Sequence, residues 1–291
     1  MIVLDGKKTA IALKEEIKLT VDKRINDGKK IPHLAAVLVG NDGASLTYVG
    51  SKVRSCEQIG IKSTLIHLDE TISENELLQK ITQLNNDDSL DGYIVQLPLP
   101  KHINEEKILL AIDPRKDVDG FHPSNFGRMA LEMNSFIPAT PYGIMELLKR
   151  YKIETSGKHC VVIGRSHIVG RPISILMSQK GPYGNATVTV AHSRTENIKV
   201  LTRSADIIVS ALGIPEFLKA DMVKQDVVII DVGITRVPDT SHPKGYLIKG
   251  DVAYEEVARK AYAITPVPGG VGPMTIAMLL KNTLLACERR D

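Results

Sequence analysis

The 291-residue chain has no tryptophan, and its aromatic fraction is only 4%. Proteins that bind single-stranded nucleic acid commonly stack bases on aromatic side chains, so this composition argues against that function. The chain also has only three cysteines, Cys56, Cys160 and Cys287, and they show no paired spacing. That pattern is typical of small apolar residues in a reducing compartment, and it predicts neither a disulfide framework nor a zinc site.

Long apolar runs and a strong charge of one sign are missing as well. No apolar stretch approaches the roughly 20 residues of a membrane span, and the N-terminus lacks the arrangement of a signal peptide. The net charge is +3 without a basic block, so we expect neither nucleic acid nor a membrane surface as a partner. Apolar residues make up 43% of the chain, enough for a substantial core. A soluble cytoplasmic protein is therefore predicted.

Short apolar strands alternate with amphipathic helices along the whole chain. The strands HLAAVLVG and DGYIVQ are nearly all apolar, which is typical of parallel strands covered on both faces. Ser73 and Glu76 have the spacing of a capping box at the start of a helix. The pattern restarts near residue 141, after the turn-rich segment 134–141. We predict an α/β fold of two units with parallel sheets, and a last helix that packs back on the first unit.

The second unit has a glycine-bearing turn between a strand and a helix. Gly164 ends the strand VVIG, Gly170 opens the helix, and Arg165 and Ser166 lie between them. Backbone N–H groups at a helix N-terminus favour an anion, and glycine lets that anion approach closely. The spacing departs from G-x-G-x-x-G, so an ordinary strand-to-helix loop stays open as the alternative.

The end of the next strand favours NADP over NAD. NAD-binding sheets usually have Asp or Glu there, which binds the ribose 2′-hydroxyl. Here the strand ends in His192, Ser193 and Arg194. A hydroxyl and a guanidinium suit a 2′-phosphate that a carboxylate would repel. Ile234 follows another buried strand and is predicted at the same edge of the sheet, where packing on the cofactor and a plain turn are equal interpretations.

Four polar residues of the first unit are candidates for chemistry. Tyr48 and Lys52 are four residues apart on an amphipathic helix, so they share a face that flanks the buried stripe. For these two alone, packing with a solvated lysine head is the simpler interpretation. Gln96 ends a buried strand. Asp119 and Asp117 point to opposite sides in extended backbone, which suits one for a turn and the other for a ligand. No metal site is predicted, because no His or Cys set has a metal-ligand spacing.

The segment 268–275, PGGVGPMT, is the densest run of glycine and proline in the chain. Such backbone can approach a flat ligand closely. A rigid hinge between the two units is an equal alternative for this segment.

Together these motifs resemble the methylenetetrahydrofolate dehydrogenase/methenyltetrahydrofolate cyclohydrolase (FolD) family. Any one motif is a weak signal, and eight in the family's order across nearly the full chain are a strong one. The matching stretches are S-x-x-Y-V-x-x-K (45–52), VQLPLP (95–100), KDVDGF (116–121), PATPYG (138–143), GRSHIVGRP (164–172), DVGI (231–234), GDV (250–252) and PGGVGPMT (268–275).

The resemblance implies an α/β fold with two domains flanking a cleft. A folate-binding catalytic domain would span residues 1–138, with the C-terminal helix 273–291 packed on it. A Rossmann-like NADP-binding domain with a parallel sheet would span residues 139–272. The resemblance also implies a homodimer that acts on tetrahydrofolate derivatives in one-carbon metabolism. Its reactions would be the NADP-dependent oxidation of 5,10-methylenetetrahydrofolate to 5,10-methenyltetrahydrofolate, and hydrolysis of that product to 10-formyltetrahydrofolate.

Carried over by position, the resemblance implies a role for each candidate residue. Lys52 matches the catalytic lysine, Tyr48 its partner, Gln96 the glutamine beside it and Asp119 the carboxylate that holds the pterin. The implied cofactor-binding residues are Gly164, Arg165, Ser166, Ser193 and Ile234. The implied substrate-binding residues are Tyr48, Asp119, Pro268, Gly269, Gly270, Val271 and Gly272.

Two other classes of protein stay open as alternatives. An NADP-dependent dehydrogenase of another small substrate, such as a shikimate-type enzyme, would also have two α/β domains and a catalytic lysine, but would need neither VQLPLP nor PGGVGPMT. A non-catalytic NADP-binding protein would bind the cofactor without turnover. Lys52, Gln96 and Asp119 together argue against this second alternative.

Overall fold

Two compact units form the protein in the computed structural model, which describes residues 1–242 and 245–291. The six-stranded unit comprises residues 1–10 and 140–275, and the three-stranded unit comprises residues 11–139 and 276–291. The main sheet of each unit is parallel and is combined with helices, which confirms the predicted α/β class. The six-stranded unit also has a separate antiparallel pair of short strands. No helix in the described residues is long and apolar enough to cross a membrane.

Up to residue 95 one strand precedes each helix, and three helices then follow up to residue 150. In chain order the elements are β1 Ile2–Val3, α1 Gly6–Asn26, β2 His33–Val39, α2 Gly43–Gln58, β3 Lys62–Leu68, α3 Glu74–Asn85, β4 Gly92–Val95, α4 Glu105–Ala111, α5 Pro123–Ala130 and α6 Ala139–Arg150.

The later elements again alternate, except that three strands follow one another directly between residues 227 and 249. These later elements are β5 His159–Ile163, α7 Gly170–Ser178, β6 Thr187–Ala191, α8 Ile198–Ser204, β7 Ile207–Ser210, a 3₁₀ turn Ala220–Met222, β8 Val227–Asp231, β9 Thr235–Pro238, β10 Tyr246–Lys249, α9 Tyr254–Val257, β11 Ala261–Ile264 and α10 Val271–Glu288.

The sheet of the three-stranded unit has the order β3-β2-β4, and all its pairs are parallel. The central strand β2 is buried along nearly its whole length, as its apolar sequence predicts. Its residues Ala35, Val37 and Val39 pack with α3 and α4 in one hydrophobic cluster. Helix α3 begins with the predicted capping box, in which Ser73 and Glu76 bond each other's backbone N–H groups.

The sheet of the six-stranded unit has the order β1-β11-β8-β7-β5-β6, again with parallel pairing. Strand β5 lies between β6 and β7. The chain runs from β5 to β6 on one side and then crosses to β7 on the other side of β5. Open α/β sheets bind ligands at the carboxyl ends of the strands where the order reverses in this way. The sheet thus places a ligand crevice beyond Ile163.

Some elements differ from those that the sequence predicts. The strands β1, β9, β10 and β11 were not predicted, since each has only two to four residues and shows no clear period. Strand β1 is also fixed by distant pairing, with Val3 beside Ile264. Helix α6 begins at Ala139, two residues before the predicted start at Pro141. Proline is tolerated there because the first turn of a helix needs no donor from it.

Candidate active site

Helix α2 fixes the position of Lys52. The Asp42 side chain caps the helix by accepting a hydrogen bond from the Ser45 backbone N–H at 2.8 Å. Val49 and Cys56 are buried and hold one face of the helix against the unit. Lys52 lies between them along the chain and is only 4% exposed, and its Nζ is 4.7 Å from the centroid of the Tyr48 ring. The lysine head is therefore far less solvated than the helix alone predicts.

Strand β4 brings Gln96 to the same place. The backbone N–H of Gln96 donates to Val37 O at 2.9 Å, so Gln96 continues the sheet at the carboxyl end of β4. Lys52 Nζ donates to Gln96 Oε1 at 3.2 Å, and Gln96 Nε2 donates to Leu97 O at 2.7 Å. The second bond fixes the amide so that its oxygen faces the amine. Gln96 thus orients Lys52 without adding a charge.

The charge states of Lys52 and Asp119 depend on each other. Burial lowers the pKa of Lys52, while the Asp119 carboxylate and, to a smaller degree, Cys56 act to raise it. Burial raises the pKa of Asp119, and Lys52 acts to lower it. A low-dielectric site of this kind allows an amine that is neutral more often than an ordinary lysine.

Asp117 and Asp119 have different environments, as the alternation of an extended strand predicts. Asp117 is buried, and its carboxylate accepts from the backbone N–H groups of Phe121 at 3.2 Å and His122 at 2.8 Å. It also accepts from Asn125 Nδ2 at 2.8 Å, and burial raises its pKa to about 7. Asp117 therefore holds the turn, whereas Asp119 interacts electrostatically with Lys52.

The predicted phosphate loop follows β5 directly. Gly164 has φ +126°, and a Cβ there would lie 2.4 Å from Ala211 O. A Cβ at Gly170 would lie 2.3 Å from Gly164 O. Only glycine allows these two backbone approaches, which bring the loop against the start of α7. Ser166 Oγ accepts from Val169 N at 3.2 Å and from Gly170 N at 3.3 Å, so the loop has a defined shape.

Exposed side chains surround this loop at the carboxyl edge of the six-stranded unit. Arg165 and Ser166 are exposed in the loop itself. Ile163 pairs with Ala191, so Ser193 follows the neighbouring strand end, and it is exposed too. Exposed polar side chains at the carboxyl ends of two neighbouring parallel strands are available to a ligand at that edge.

The loop 268–272 belongs to the six-stranded unit and packs near Ile234. A Cβ at Gly272 would lie 3.3 Å from Ile234 Cδ1, and Ile234 is 60% exposed. Together with Ile248 these segments line a small pocket of about 160 Å³. Lys52, Tyr48, Gln96 and Asp119 meet in the three-stranded unit, whereas the other predicted positions lie in the six-stranded unit.

Asp231 and Asp251 were missed as site residues by the sequence interpretation. Asp231 Oδ1 accepts from the N–H groups of Gly233 and Asp251, each at 2.9 Å, and its Oδ2 accepts from Val252 N at 3.0 Å. Burial raises the pKa of Asp231 to about 7, although the three N–H donors act to lower it. The carboxylate therefore ties the loop that carries Ile234 to the segment after β10.

Asp251 extends this connection to a third loop. Its carboxylate accepts from Leu212 N at 2.6 Å and Ile214 N at 2.9 Å, which fixes the loop after β7. The signal for both acids is a nearby glycine, two residues after Asp231 in D-V-G-I and directly before Asp251 in G-D-V. A Cβ at Gly250 would lie 2.0 Å from Asp231 Oδ2, so a side chain at this glycine would displace the carboxylate.

No group of three or more His, Cys, Asp or Glu side chains in residues 1–242 and 245–291 is placed to hold a metal ion.

Comparisons with known proteins match both units. The family model described as "Tetrahydrofolate dehydrogenase/cyclohydrolase, catalytic domain" matches residues 4–119, and the one described as "Tetrahydrofolate dehydrogenase/cyclohydrolase, NAD(P)-binding domain" matches residues 138–291. A bifunctional protein FolD from Flavobacterium johnsoniae is 72% identical over 291 residues, which covers 100% of this chain and 99% of that protein.

Two solved structures are similar over their full length. The bifunctional FolD methylenetetrahydrofolate dehydrogenase/cyclohydrolase from Campylobacter jejuni is 48% identical with a TM-score of 0.94, covering 100% of both chains. The methylenetetrahydrofolate dehydrogenase-cyclohydrolase (FolD) from Trypanosoma brucei, complexed with NADP cofactor and inhibitor, is 36% identical with a TM-score of 0.94. That match covers 100% of this chain and 98% of the other.

Proposed function

Because the chain belongs to the tetrahydrofolate dehydrogenase/cyclohydrolase family, we propose which of its residues carry the two activities of that family. The protein oxidises 5,10-methylenetetrahydrofolate to 5,10-methenyltetrahydrofolate with NADP⁺, and hydrolyses this product to 10-formyltetrahydrofolate. The observation that carries the catalytic assignment is the buried Lys52 amine, hydrogen-bonded to Gln96 within the segment that matches the catalytic domain.

We assign proton transfer in the hydrolysis to Lys52. Water attacks the methenyl carbon and forms a new C–O bond, and a neutral Lys52 accepts one proton from the attacking water. The second proton of the water passes to the ring nitrogen whose C–N bond breaks, so one proton is released overall. An ordinary lysine has a pKa near 10.4 and would be charged at neutral pH. Burial lowers the pKa of Lys52, and the positive charge of the bound methenyl group would lower it further.

Gln96 and Tyr48 position this amine. The Gln96 oxygen occupies one donor direction of Lys52 Nζ, so the nitrogen lone pair is directed elsewhere. The half-buried Tyr48 ring borders the amine at 4.7 Å and is placed to stack on a flat substrate. Asp119 is assigned to the pterin, whose 2-amino and ring N–H groups form a paired donor edge that a carboxylate accepts.

The residues of the six-stranded unit fit NADP. The close approaches at Gly164 and Gly170 leave room for a diphosphate at the start of α7, and we assign the 2′-phosphate to Arg165 and Ser193. Bound NADP⁺ supplies the hydride acceptor. Ile234 is assigned to packing on the cofactor, and the loop Pro268, Gly269, Gly270, Val271 and Gly272 to the folate pocket. Hydride transfer needs orientation more than acid–base catalysis, so these contacts are the protein's main contribution to it.

The functional division of the chain is part of the proposal. We assign folate binding to residues 1–138 with helix 273–291, and NADP binding to residues 139–272. Within the three-stranded unit, Asn282 of α10 donates to Val118 O at 2.8 Å and to Ile137 O at 3.0 Å, which supports the first assignment. A homodimer and a cytoplasmic location are proposed from family membership, with tetrahydrofolate derivatives as substrates.

One assay separates the proposed function from its alternatives. The purified protein is mixed with 5,10-methylenetetrahydrofolate and NADP⁺, and methenyl absorbance is followed over time. The proposal predicts a rise in that absorbance and a later decay as the formyl product forms. A dehydrogenase of another small substrate would produce no methenyl absorbance with this folate. A non-catalytic protein would bind NADP⁺ with neither the rise nor the decay.

A further inference from the structure

Two arginines in the three-stranded unit face a pocket that the proposed function does not use. Arg128 and Arg289 line this pocket, whose volume is about 450 Å³. Arg128 Nε donates to Asn134 O at 2.7 Å, and Arg289 Nη2 donates to Ser135 O at 3.3 Å. Two successive carbonyl groups thus hold the two guanidinium groups in the same pocket. The Arg289 guanidinium also lies over the Phe136 ring, 4.6 Å from its centroid.

Neither of these two charges is balanced by an acid. Within the described part of the chain, no carboxylate forms an ion pair with Arg128 or Arg289. Burial lowers the pKa of Arg289, and the charge of Arg128 lowers it further. Arginines placed in this way repel each other, and the free energy of that repulsion is recovered when an anion binds between them.

Two further arginines that line the pocket are, in contrast, paired with acids. Arg115 is paired with Asp113 at 2.6 Å, and Arg290 is paired with Asp88 at 2.8 Å. These pairs contribute no net charge, so the pocket keeps about two positive charges from its unbalanced members.

We propose that this pocket binds a small anion carrying two or more phosphate or carboxylate groups. Guanidinium groups bind both kinds of group through paired N–H donors. The pocket volume lies within the range of sites for small molecules, which is about 300–1,000 Å³. The Ser124 side chain, exposed at the first turn of α5, supplies a further hydroxyl at the pocket wall.

The pocket lies apart from the residues assigned to catalysis. Arg290 Nη1 donates to Leu90 O at 2.6 Å, just before the amino end of β4, whereas Gln96 follows the carboxyl end of that strand. The pocket wall is nevertheless connected to the Asp119 loop. Asn125, another lining residue, donates to Asp117, whose carboxylate holds the turn after Asp119. An anion in the pocket therefore stabilises the wall that supports this turn.

Calorimetric titration of the 291-residue chain tests the proposal. Pyrophosphate and citrate are titrated separately at constant ionic strength, with NADP⁺ present at saturation so that the cofactor site is filled. We expect binding of at least one of them, weakened tenfold or more in Arg128→Gln and in Arg289→Gln. The matched control is Arg259→Gln, which removes the same charge from an exposed arginine of the six-stranded unit and should bind like the parent.

The outcomes are distinguishable. Binding of pyrophosphate alone identifies a phosphate ligand, binding of citrate alone a carboxylate ligand, and either supports the proposal. Absence of binding by both anions overturns it, as does an equal loss in Arg259→Gln, which would show a diffuse effect of net charge. Arg128→Lys keeps the charge without the paired donors, and its loss of anion affinity should be intermediate. Thermal unfolding of each variant confirms that it is folded. None of these results depends on turnover of folate.

Discussion

The hydrogen bond between Lys52 and Gln96 leads to a prediction about the pH dependence of hydrolysis. Replacing Gln96 with leucine removes the hydrogen bond that Lys52 Nζ donates at 3.2 Å, in a site where the lysine is 4% exposed. Hydrogen bonds to charged groups contribute about 1.5–3 kcal/mol. Losing this one disfavours the ammonium form by that amount. Since about 1.4 kcal/mol corresponds to a tenfold change, the ratio of neutral to charged Lys52 rises roughly tenfold to hundredfold.

A carboxylate at the same position has the opposite effect. In Gln96→Glu the negative charge beside Nζ favours the ammonium form, so the neutral fraction of Lys52 falls. If the neutral amine accepts the proton, the acidic limb of the cyclohydrolase pH profile moves to lower pH in Gln96→Leu and to higher pH in Gln96→Glu. Each variant also loses some rate because the amine is oriented differently, but a loss of rate alone does not move the limb.

The assay follows the decay of methenyl absorbance across a pH series, with the uncatalysed rate subtracted at each pH. Gln83 provides matched controls, because it is exposed and its Oε1 accepts from Lys80 Nζ at 3.3 Å in the same unit. Gln83→Leu and Gln83→Glu should leave the profile unchanged. An unmoved limb in both Gln96 variants, or movement in the same direction in both, would refute the reasoning.

Three further predictions concern the six-stranded unit. Arg165→Ala and Ser193→Ala should each raise KM for NADP⁺ by about tenfold and leave KM for NAD⁺ nearly unchanged. An equal increase in KM for both cofactors in steady-state kinetics would show that neither side chain contacts the 2′-phosphate. Because burial raises the pKa of Asp231 to about 7, the folded state holds a proton between about pH 4 and pH 7 that the unfolded state has lost. The contribution of Asp231 to the free energy of unfolding should therefore fall by about 4 kcal/mol as pH rises through that window. In urea denaturation, Asp231→Asn should remove this part of the fall and leave the part that Asp117, with a similarly raised pKa, contributes. Gly164→Ala places a Cβ 2.4 Å from Ala211 O, so titration should show at least tenfold weaker NADP⁺ binding, and parent-like affinity would contradict the proposed phosphate loop.

The sequence predicts those parts of the fold that local physics determines. The apolar runs at β2 and β5 are recognisable because parallel strands are buried on both faces, and the Ser73 and Glu76 capping box is a short-range signal. Strand β1 is not predictable in this way, since its two residues are held by pairing with β11 near the other end of the chain. Long-range pairing leaves no trace in local periodicity.

In the candidate site too, local spacing predicts some features, and contacts between distant segments determine the others. The helical spacing of Tyr48 and Lys52 predicts that they share a face, but it cannot show that Lys52 is nearly unexposed. That burial comes from the approach of β4, which is distant in sequence and brings Gln96 to the amine. The alternation around Asp117 predicts one residue for a turn, and Asp117 holds that turn through the N–H groups of Phe121 and His122. The role of Asp119 as a ligand residue stays a prediction. The reciprocal bonds of Asp231 and Asp251 were missed because they join three loops that are separate in the sequence.

Proton acceptance by Lys52 in the hydrolysis can be tested with the variant Lys52→Met. Methionine retains the apolar stem of the side chain, so the variant should fold and bind NADP⁺ like the parent. Lys62→Met is the matched control, because Lys62 is an exposed lysine of the same unit. With methenyltetrahydrofolate as substrate, we expect Lys52→Met to lose the enzymatic decay of methenyl absorbance and Lys62→Met to retain it. Hydrolysis by Lys52→Met at the parent rate would contradict proton acceptance by Lys52.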